Sequence, residues 1–173
     1  ERAYGLGYRI YRALGYAGHE DHRVLVTPSD ARPDTLALLA TDPGGGAAGT
    51  VTLWFDHPEG LPCEALYPRE VAALRDDGGR LVEAGRFATN DDYRNSTMLV
   101  ARLLNLIFLY ACRVQACSHL LCTVNPRHVA FYMRKLHFRR LGGECPCPRV
   151  KGAIAELLTL NLRDYAREVR SAH

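Results

Sequence analysis

The chain predicts an α/β fold, one mixed sheet with helices on both faces. Three observations carry this. Helix-period and strand-period segments alternate along the 173 residues in the order α, ββ, α, β, α, β, α, β, β, α. The segments Arg80–Thr89, Ser96–Gln115 and Leu120–Val124 form a β–helix–β unit, which calls for parallel pairing through a right-handed crossover. The second of those strands runs into Asn125-Pro126 and then a helix with Val129, Tyr132, Met133 and Leu136 on one side.

Each element has a local reason. Glu1–Gly15 carries Leu6, Ile10 and Leu14 as a helical stripe, which Gly15 and Gly18 end. A polar segment covers Gly18–Arg23. Thr35–Thr41 and Thr50–Phe55 read as a hairpin whose long loop starts Asp42-Pro-Gly-Gly-Gly46. His57–Pro62 is loop. Pro68–Arg75 is a short helix, with Pro68 suited to its first turn and Gly78-Gly79 beyond its end. Arg80–Thr89 is a strand in which Gly85 marks a bulge or a close backbone approach. The polar loop Asn90–Asn95 precedes a helix capped by Asn95 or Ser96 and running to Gln115. Strand Leu120–Val124, helix Arg127–Leu136 and strand Phe138–Leu141 follow. Gly142–Gly152 reads as loop, Ala153–Leu162 as an apolar strand and Arg163–Ser171 as a terminal helix. No repeat or linker divides the chain, so one domain over residues 1–173 is expected.

Composition excludes several classes. With 47% hydrophobic and 24% charged residues, the chain is an ordinary globular one. A net charge of only +3, with no Lys/Arg block, argues against nucleic-acid binding. The apolar stretch Met98–Val114 is interrupted by Arg102, Asn105 and Arg113. It falls short of the ~20 residues a membrane span needs and reads as a buried helix. Cys112, Cys117 and Cys122 lie in apolar runs, where a free thiol acts as a small hydrophobe. Cys145-Pro-Cys147 lacks the spacing of a zinc knuckle and a second pair, so no metal site is expected. No secretory signal is visible, and a reduced, cytoplasmic protein is the expectation.

Three segments can carry chemistry. In Leu81–Ala88, a bulge at Gly85, Arg86 and Phe87 would free backbone N–H groups for a thioester carbonyl and for the oxyanion formed on attack. Glu83 stands two residues before it, as a base for an amine, directly or through water. Strand context alone favours the other reading, in which Glu83 is a solvated or salt-bridged strand residue with Arg86 as its partner. The loop Asn90–Thr97 opens a helix, and amides at Arg94, Asn95, Ser96 and Thr97 favour phosphate there. Arg94 adds a charge-assisted partner, although the segment reads equally as a plain cap. Tyr132 is a proton donor at neutral pH, with an ordinary pKa near ~10, or a core aromatic. His128, beside Arg127, is a substrate contact or an exposed surface residue.

The pattern Asn125-x-x-x-x-x-Phe131-Tyr132-x-x-x-x-x-Phe138, following the strand Leu120–Val124, resembles the end of the cofactor cleft in the GNAT-type N-acyltransferase fold. That resemblance implies a splayed strand pair, with Asn125 holding pantetheine amides and Tyr132 protonating the leaving thiolate. Acetyl-CoA enzymes of this fold usually carry Gly-x-Gly or Gly-x-Ala where this chain has Thr97 and Leu99. Side chains there obstruct the close approach a pyrophosphate needs, whereas a single phosphodiester needs less room.

Further segments are similar to bacterial N-acyl amino acid synthases and, more distantly, acyl-homoserine lactone synthases. They are Arg2–Tyr16, Glu83-Ala-Gly-Arg-Phe-Ala88, Asn125-Pro-Arg-His128 with Phe131-Tyr132, and Pro148-Arg-Val-Lys-Gly152. Two residues depart from the pattern. Gly85 replaces a small hydroxyl residue, and His137 replaces the Gly usual before Phe138. The resemblance implies transfer of a long-chain fatty acyl group from acyl-acyl carrier protein to an amino acid such as tyrosine. No permanently bound cofactor is implied; the donor is the acyl-phosphopantetheine arm. Arg94, Arg127, Arg134 and Lys135 would form a basic face for the acidic carrier. An acetyl-CoA- or acyl-CoA-dependent enzyme, a lactone synthase and a non-catalytic lipid- or carrier-binding module stay open as alternatives.

Overall fold

The computed structural model describes residues 1–18 and 23–171. Most of the polar segment Gly18–Arg23 lies outside them. The elements are α1 (Arg2–Ala13), the hairpin β1 (Leu36–Thr41) and β2 (Ala47–Phe55), α2 (Pro68–Asp76) and β3 (Leu81–Thr89). Then come α3 (Thr97–Leu109), β4 (His119–Val124), α4 (Pro126–Leu136), β5 (Arg139–Cys147), β6 (Ala153–Asn161) and α5 (Leu162–Ser171). The strands form one sheet in the order β1-β2-β3-β4-β6-β5. β3 and β4 are parallel; the other neighbours are antiparallel.

Strand alternation divides the core between the two faces. Val51, Leu53, Val82, Cys122 and Leu158 point to one side, where Leu103 and Ile107 of α3 and Val129 of α4 cover them. Trp54, Leu81, Leu121 and Leu157 point to the other, under Val71 of α2 and the turn residues Cys63 and Tyr67. The mixed sheet with helices on both faces is the expected α/β architecture.

β3 and β4 pair only at Leu81↔His119, Val82↔Leu120 and Glu83↔Leu121. Beyond Glu83 they diverge, while β3 stays on β2 and β4 stays on β6. A bulge bends β3 here. Thr50 pairs with Ala88 and Thr52 with Gly85, so Arg86 and Phe87 together oppose Val51. Arg86 takes φ 53° to make this turn. Asn125 then caps α4 through Oδ1, which accepts from the Arg127 N–H at 3.2 Å, and Pro126 prevents further pairing of β4.

Two expectations are corrected. The stretch read as the loop Gly142–Gly152 mostly belongs to β5, which continues to Cys147 and is followed by a 3-10 turn, Pro148–Val150. β5 is an edge strand, so Pro146 costs no ladder bond to a further neighbour. Its irregularity at Gly142 follows from Tyr67: a Cβ on Gly142 would stand 2.5 Å from that ring. Tyr67 donates to the Gly143 or Ala155 carbonyl, each at 2.9 Å.

The second correction concerns α3. Of Thr97–Val114, only Leu103, Ile107 and Ala111 are buried. These recur every four residues, so the helix docks on the sheet by one stripe. Met98 and Val114 are 63% and 64% exposed, and Leu106 and Leu109 are also on the surface. The segment is long and apolar enough to cross a membrane by length and composition alone, and is not the buried helix expected. It ends in a π turn over Tyr110–Val114 rather than continuing as α-helix to Gln115.

Candidate active site

Glu83 is the last β3 residue paired to β4, and it is 1% exposed. It faces the α2 side of the sheet with Trp54 and Leu121. Its Oε2 accepts the Cys63 N–H at 2.7 Å. That N–H is available because Cys63 sits in a 3-10 turn, Pro62–Ala65. The cation near Glu83 is Arg149, whose Nη2 lies 3.7 Å from Oε1. Burial pushes the Glu83 carboxyl above the usual carboxylate range, with Arg149 and the Cys63 N–H pulling partly back. A buried carboxylate of raised basicity is, when ionised, a stronger base toward an ammonium than an ordinary carboxylate. It is not the solvated strand residue that was one reading of the sequence.

Arg86 is not the partner of Glu83. Its Nη1 donates to Asp30 Oδ1 at 2.6 Å and its Nη2 to Thr27 Oγ1 at 3.2 Å. The guanidinium lies 5.2 Å from the Trp54 ring and 5.8 Å from Tyr4. Its side chain therefore ties the bulge to the N-terminal segment; Gly85 and Arg86 line a cavity, whereas Phe87 packs against the core cluster under α3. Gly85 is required by packing: a Cβ there would meet Trp54 Cζ3 at 2.6 Å. The indole fills the space that a side chain at residue 85 would take.

A cavity of about 140 Å³ collects these groups. Glu83, Gly85, Arg86, Asn125 and Arg149 line it, together with Tyr11, Tyr16 and Trp54. Burial raises the Tyr11 phenol, so it stays protonated. Asn125 borders the cavity, but its amide is already used. Oδ1 caps α4, and Nδ2 donates to the Ile154 carbonyl at 3.3 Å.

A second cavity, of about 770 Å³, lies between α3, α4 and α5 on the other face. Its walls are apolar, from Val100, Leu104, Phe108, Leu120, Phe138 and Leu160. Arg94, Asn95, Ser96 and Thr97 line its end at the α3 N-terminus. Ser96 is the cap, accepting the Leu99 N–H at 3.3 Å. Arg94 pairs with Asp91 at 2.5 Å in an exposed position. Lys135 also borders this cavity, and Arg127 and Arg134 are exposed on α4.

Tyr132 lines neither cavity. Its ring packs edge-on against Phe138, centroids 5.4 Å apart, and against Phe131 at 5.9 Å. Burial raises its phenol, and its hydroxyl has no hydrogen-bond partner among the described residues. His128 is exposed and accepts from Arg127 Nε at 3.0 Å. Burial, then the Arg127 charge, lowers its pKa, so it is neutral at pH 7.

The residues not foreseen are Cys63, Arg149, Tyr11, Asp30 and Trp54. Arg149 lies within Pro148–Gly152, a segment the resemblance marks without implying a role for the arginine. Asp30 sits in the turn Pro28–Ala31, which Thr27-Pro28-Ser29-Asp30 marks as a capping box, and Cys63 in the turn Pro62–Ala65; nothing local in either segment ties the turn to the site.

A family model for N-acyl amino acid synthase FeeM matches residues 2–161. FeeM itself, an N-acyl amino acid synthase from uncultured soil microbes, matches at 26% identity with a TM-score of 0.82, over 95% of this chain and 91% of its own. BjaI, a CoA-dependent acyl-homoserine lactone synthase solved with SAM and isopentyl-CoA, gives a TM-score of 0.72 at 19% identity, over 98% and 78%. An acyl-CoA N-acyltransferase from Pseudomonas aeruginosa gives 0.64 at 14%, over 91% and 87%. The latter two share the fold. No curated protein matches the chain. The match over nearly the whole length makes this GNAT-like N-acyltransferase a member of the FeeM family of N-acyl amino acid synthases.

Proposed function

We propose that this chain, acting as one domain in the cytoplasm, moves a long-chain fatty acyl group from acyl-acyl carrier protein to the amine of an amino acid. The observation that carries the reading is Glu83, a buried carboxylate of raised basicity at the point where β3 and β4 separate. Glu83 removes a proton from the ammonium, and the neutral amine attacks the thioester carbonyl. The C–N bond forms and the carbonyl oxygen becomes an oxyanion, held by backbone N–H groups of Gly85–Phe87. The C–S bond then breaks. Tyr132 gives its proton to sulfur, and the nitrogen loses its second proton to regenerate the phenol through solvent. The product is an N-acyl amino acid and a free phosphopantetheine thiol.

The 770 Å³ apolar cavity supports a long acyl chain, being within the usual ~300–1,000 Å³ for ligand sites. The glycine-free start of α3 supports a single phosphodiester over a pyrophosphate. Arg94, Asn95, Ser96 and Thr97 border the place where it would lie, and Arg127, Arg134 and Lys135 offer a cationic surface to an acidic carrier.

Purified protein is incubated with matched palmitoyl-carrier protein and palmitoyl-CoA and with pooled amino acids, and products are read by mass. N-acyl amino acids formed faster from the carrier are expected. Formation only from the CoA ester would reassign the donor, and no product from either would refute acyl transfer. Glu83→Gln and Tyr132→Phe should each slow transfer by about 10²–10⁴-fold.

A further inference from the structure

We infer that Arg149 is the carboxylate anchor of the acceptor subsite, so that Arg149 and Glu83 together read the two charged ends of an α-amino acid. This rests on the acyl-transfer reading for its catalytic consequence but not for binding itself.

The first observation is an ion pair left open. Charge-assisted N–H···O bonds close to about 2.7–2.9 Å. Arg149 Nη2 and Glu83 Oε1 stand 3.7 Å apart. Glu83 is held in place independently, by the Cys63 N–H on its other oxygen at 2.7 Å. Arg149 is held by its turn: the Lys151 N–H bonds the Pro148 carbonyl at 3.1 Å and the Gly152 N–H bonds the Cys147 carbonyl at 2.9 Å. Both side chains line the 140 Å³ cavity, and the Arg149 side chain is 34% exposed against 2% for Glu83. The guanidinium thus has donors to offer at the open end of the cavity, and the carboxylate lies at its floor.

The second observation removes the competitor. Arg86 is the other cation on this cavity, and its side chain is committed to Asp30 and Thr27. Arg149 remains as the one arginine there, among the described residues, with a long and incomplete ion pair.

The geometry matches the ligand class. Backbone bond lengths separate the nitrogen and carboxylate oxygens of an α-amino acid by about 3 Å. Its ammonium can face Glu83 while its carboxylate faces Arg149, giving alternating charges in a low-dielectric pocket. An amine without the carboxylate leaves the guanidinium unpaired. Sites built around a buried polar partner reject analogues lacking it far more strongly than apolar pockets reject size differences.

The experiment pairs each acid with its decarboxylated amine: L-tyrosine with tyramine, L-phenylalanine with phenethylamine, and L-leucine with 3-methylbutylamine. Calorimetric binding and kcat/KM are both measured for wild type, Arg149→Gln and Arg149→Lys. Expected in wild type is a preference for the acid of at least about 10²-fold. Arg149→Gln should raise KM for the acid at least tenfold and remove the preference, so that the acid loses at least tenfold more kcat/KM than its amine when each protein is compared at its own pH optimum, and Arg149→Lys should restore part of it. A folded Arg149→Gln protein that keeps the preference overturns the inference. So does an equal loss for acid and amine with a displaced pH profile, which would leave Arg149 only adjusting Glu83. Carboxylate-dependent binding that needs Arg149, without any turnover, upholds the subsite and sinks acyl transfer instead.

Discussion

Gly85 and Trp54 are fitted to one another: a Cβ on Gly85 would come within 2.6 Å of Trp54 Cζ3. The indole is 2% exposed, and its Nε1 donates to Asp30 Oδ1 at 3.2 Å, so it has little freedom to retreat. Gly85→Ser, which restores the residue type of the resembling enzymes, should therefore destabilise by about 1–3 kcal/mol through overpacking. At this chain length that lowers Tm by about 2–4 °C per kcal/mol. The double variant Gly85→Ser/Trp54→Phe should lose less than the two single losses added. Urea melts of the four proteins test the coupling, and strict additivity would refute it.

Asp30 holds Arg86, and their side chains are only 4% and 10% exposed. Asp30 also accepts from Thr27 Oγ1 at 2.9 Å. Asp30→Ala strands a buried guanidinium and should cost about 3–5 kcal/mol, measured by denaturant unfolding. Asp30→Ala with Arg86→Met should cost clearly less. Because Arg86 shapes the bulge, Asp30→Ala should also lower acyl-transfer kcat/KM although Asp30 lines neither cavity.

Glu83 sets the pH response. Its carboxyl is raised in the folded state, so the native protein binds this proton more tightly than the unfolded chain. Its contribution to stability is present below the ordinary glutamate range and is lost as pH rises through the raised value. Activity runs the opposite way, because the base must be ionised. The acid limb of kcat/KM should lie above the ordinary glutamate pKa. Glu83→Gln should remove the stability loss on that interval while slowing transfer by about 10²–10⁴-fold. A rate profile with its acid limb near the ordinary value would overturn the assignment of Glu83 as base.

His137 occupies the left-handed position after α4, with φ 60°. A left-handed backbone costs a non-glycine residue about 1–2 kcal/mol. His137 recovers little through Glu168 at 3.6 Å, since both side chains are about 60% exposed. His137→Gly should stabilise by about 1 kcal/mol and leave turnover unchanged. A loss of stability would mean that the contact with the Tyr165 ring, at 5.8 Å, outweighs the backbone gain.

The element order, the strand carrying Glu83 and the strand–turn–helix at Leu120–Leu136 are legible in the sequence by itself. Periodicity, a strand glycine and an Asn-Pro stop act over a few residues, and those residues are adjacent in the chain. The departure at His137 was legible as a departure; its left-handed cap supplies the reason.

Only the tertiary structure decided which charges meet. Glu83 lies beside Arg149 and not beside its sequence neighbour Arg86, because alternation along β3 and the bulge send the two side chains to different partners. Trp54, not a ligand, explains why residue 85 is glycine. β5 runs on through a stretch rich in glycine and proline because an edge strand tolerates both and Tyr67 fills the space. α3 keeps Met98, Leu106 and Leu109 exposed because its buried stripe of Leu103 and Ile107 turns them away from the sheet. Sheet register, burial and contacts between distant segments settle these points, and local sequence pattern carries no information about them.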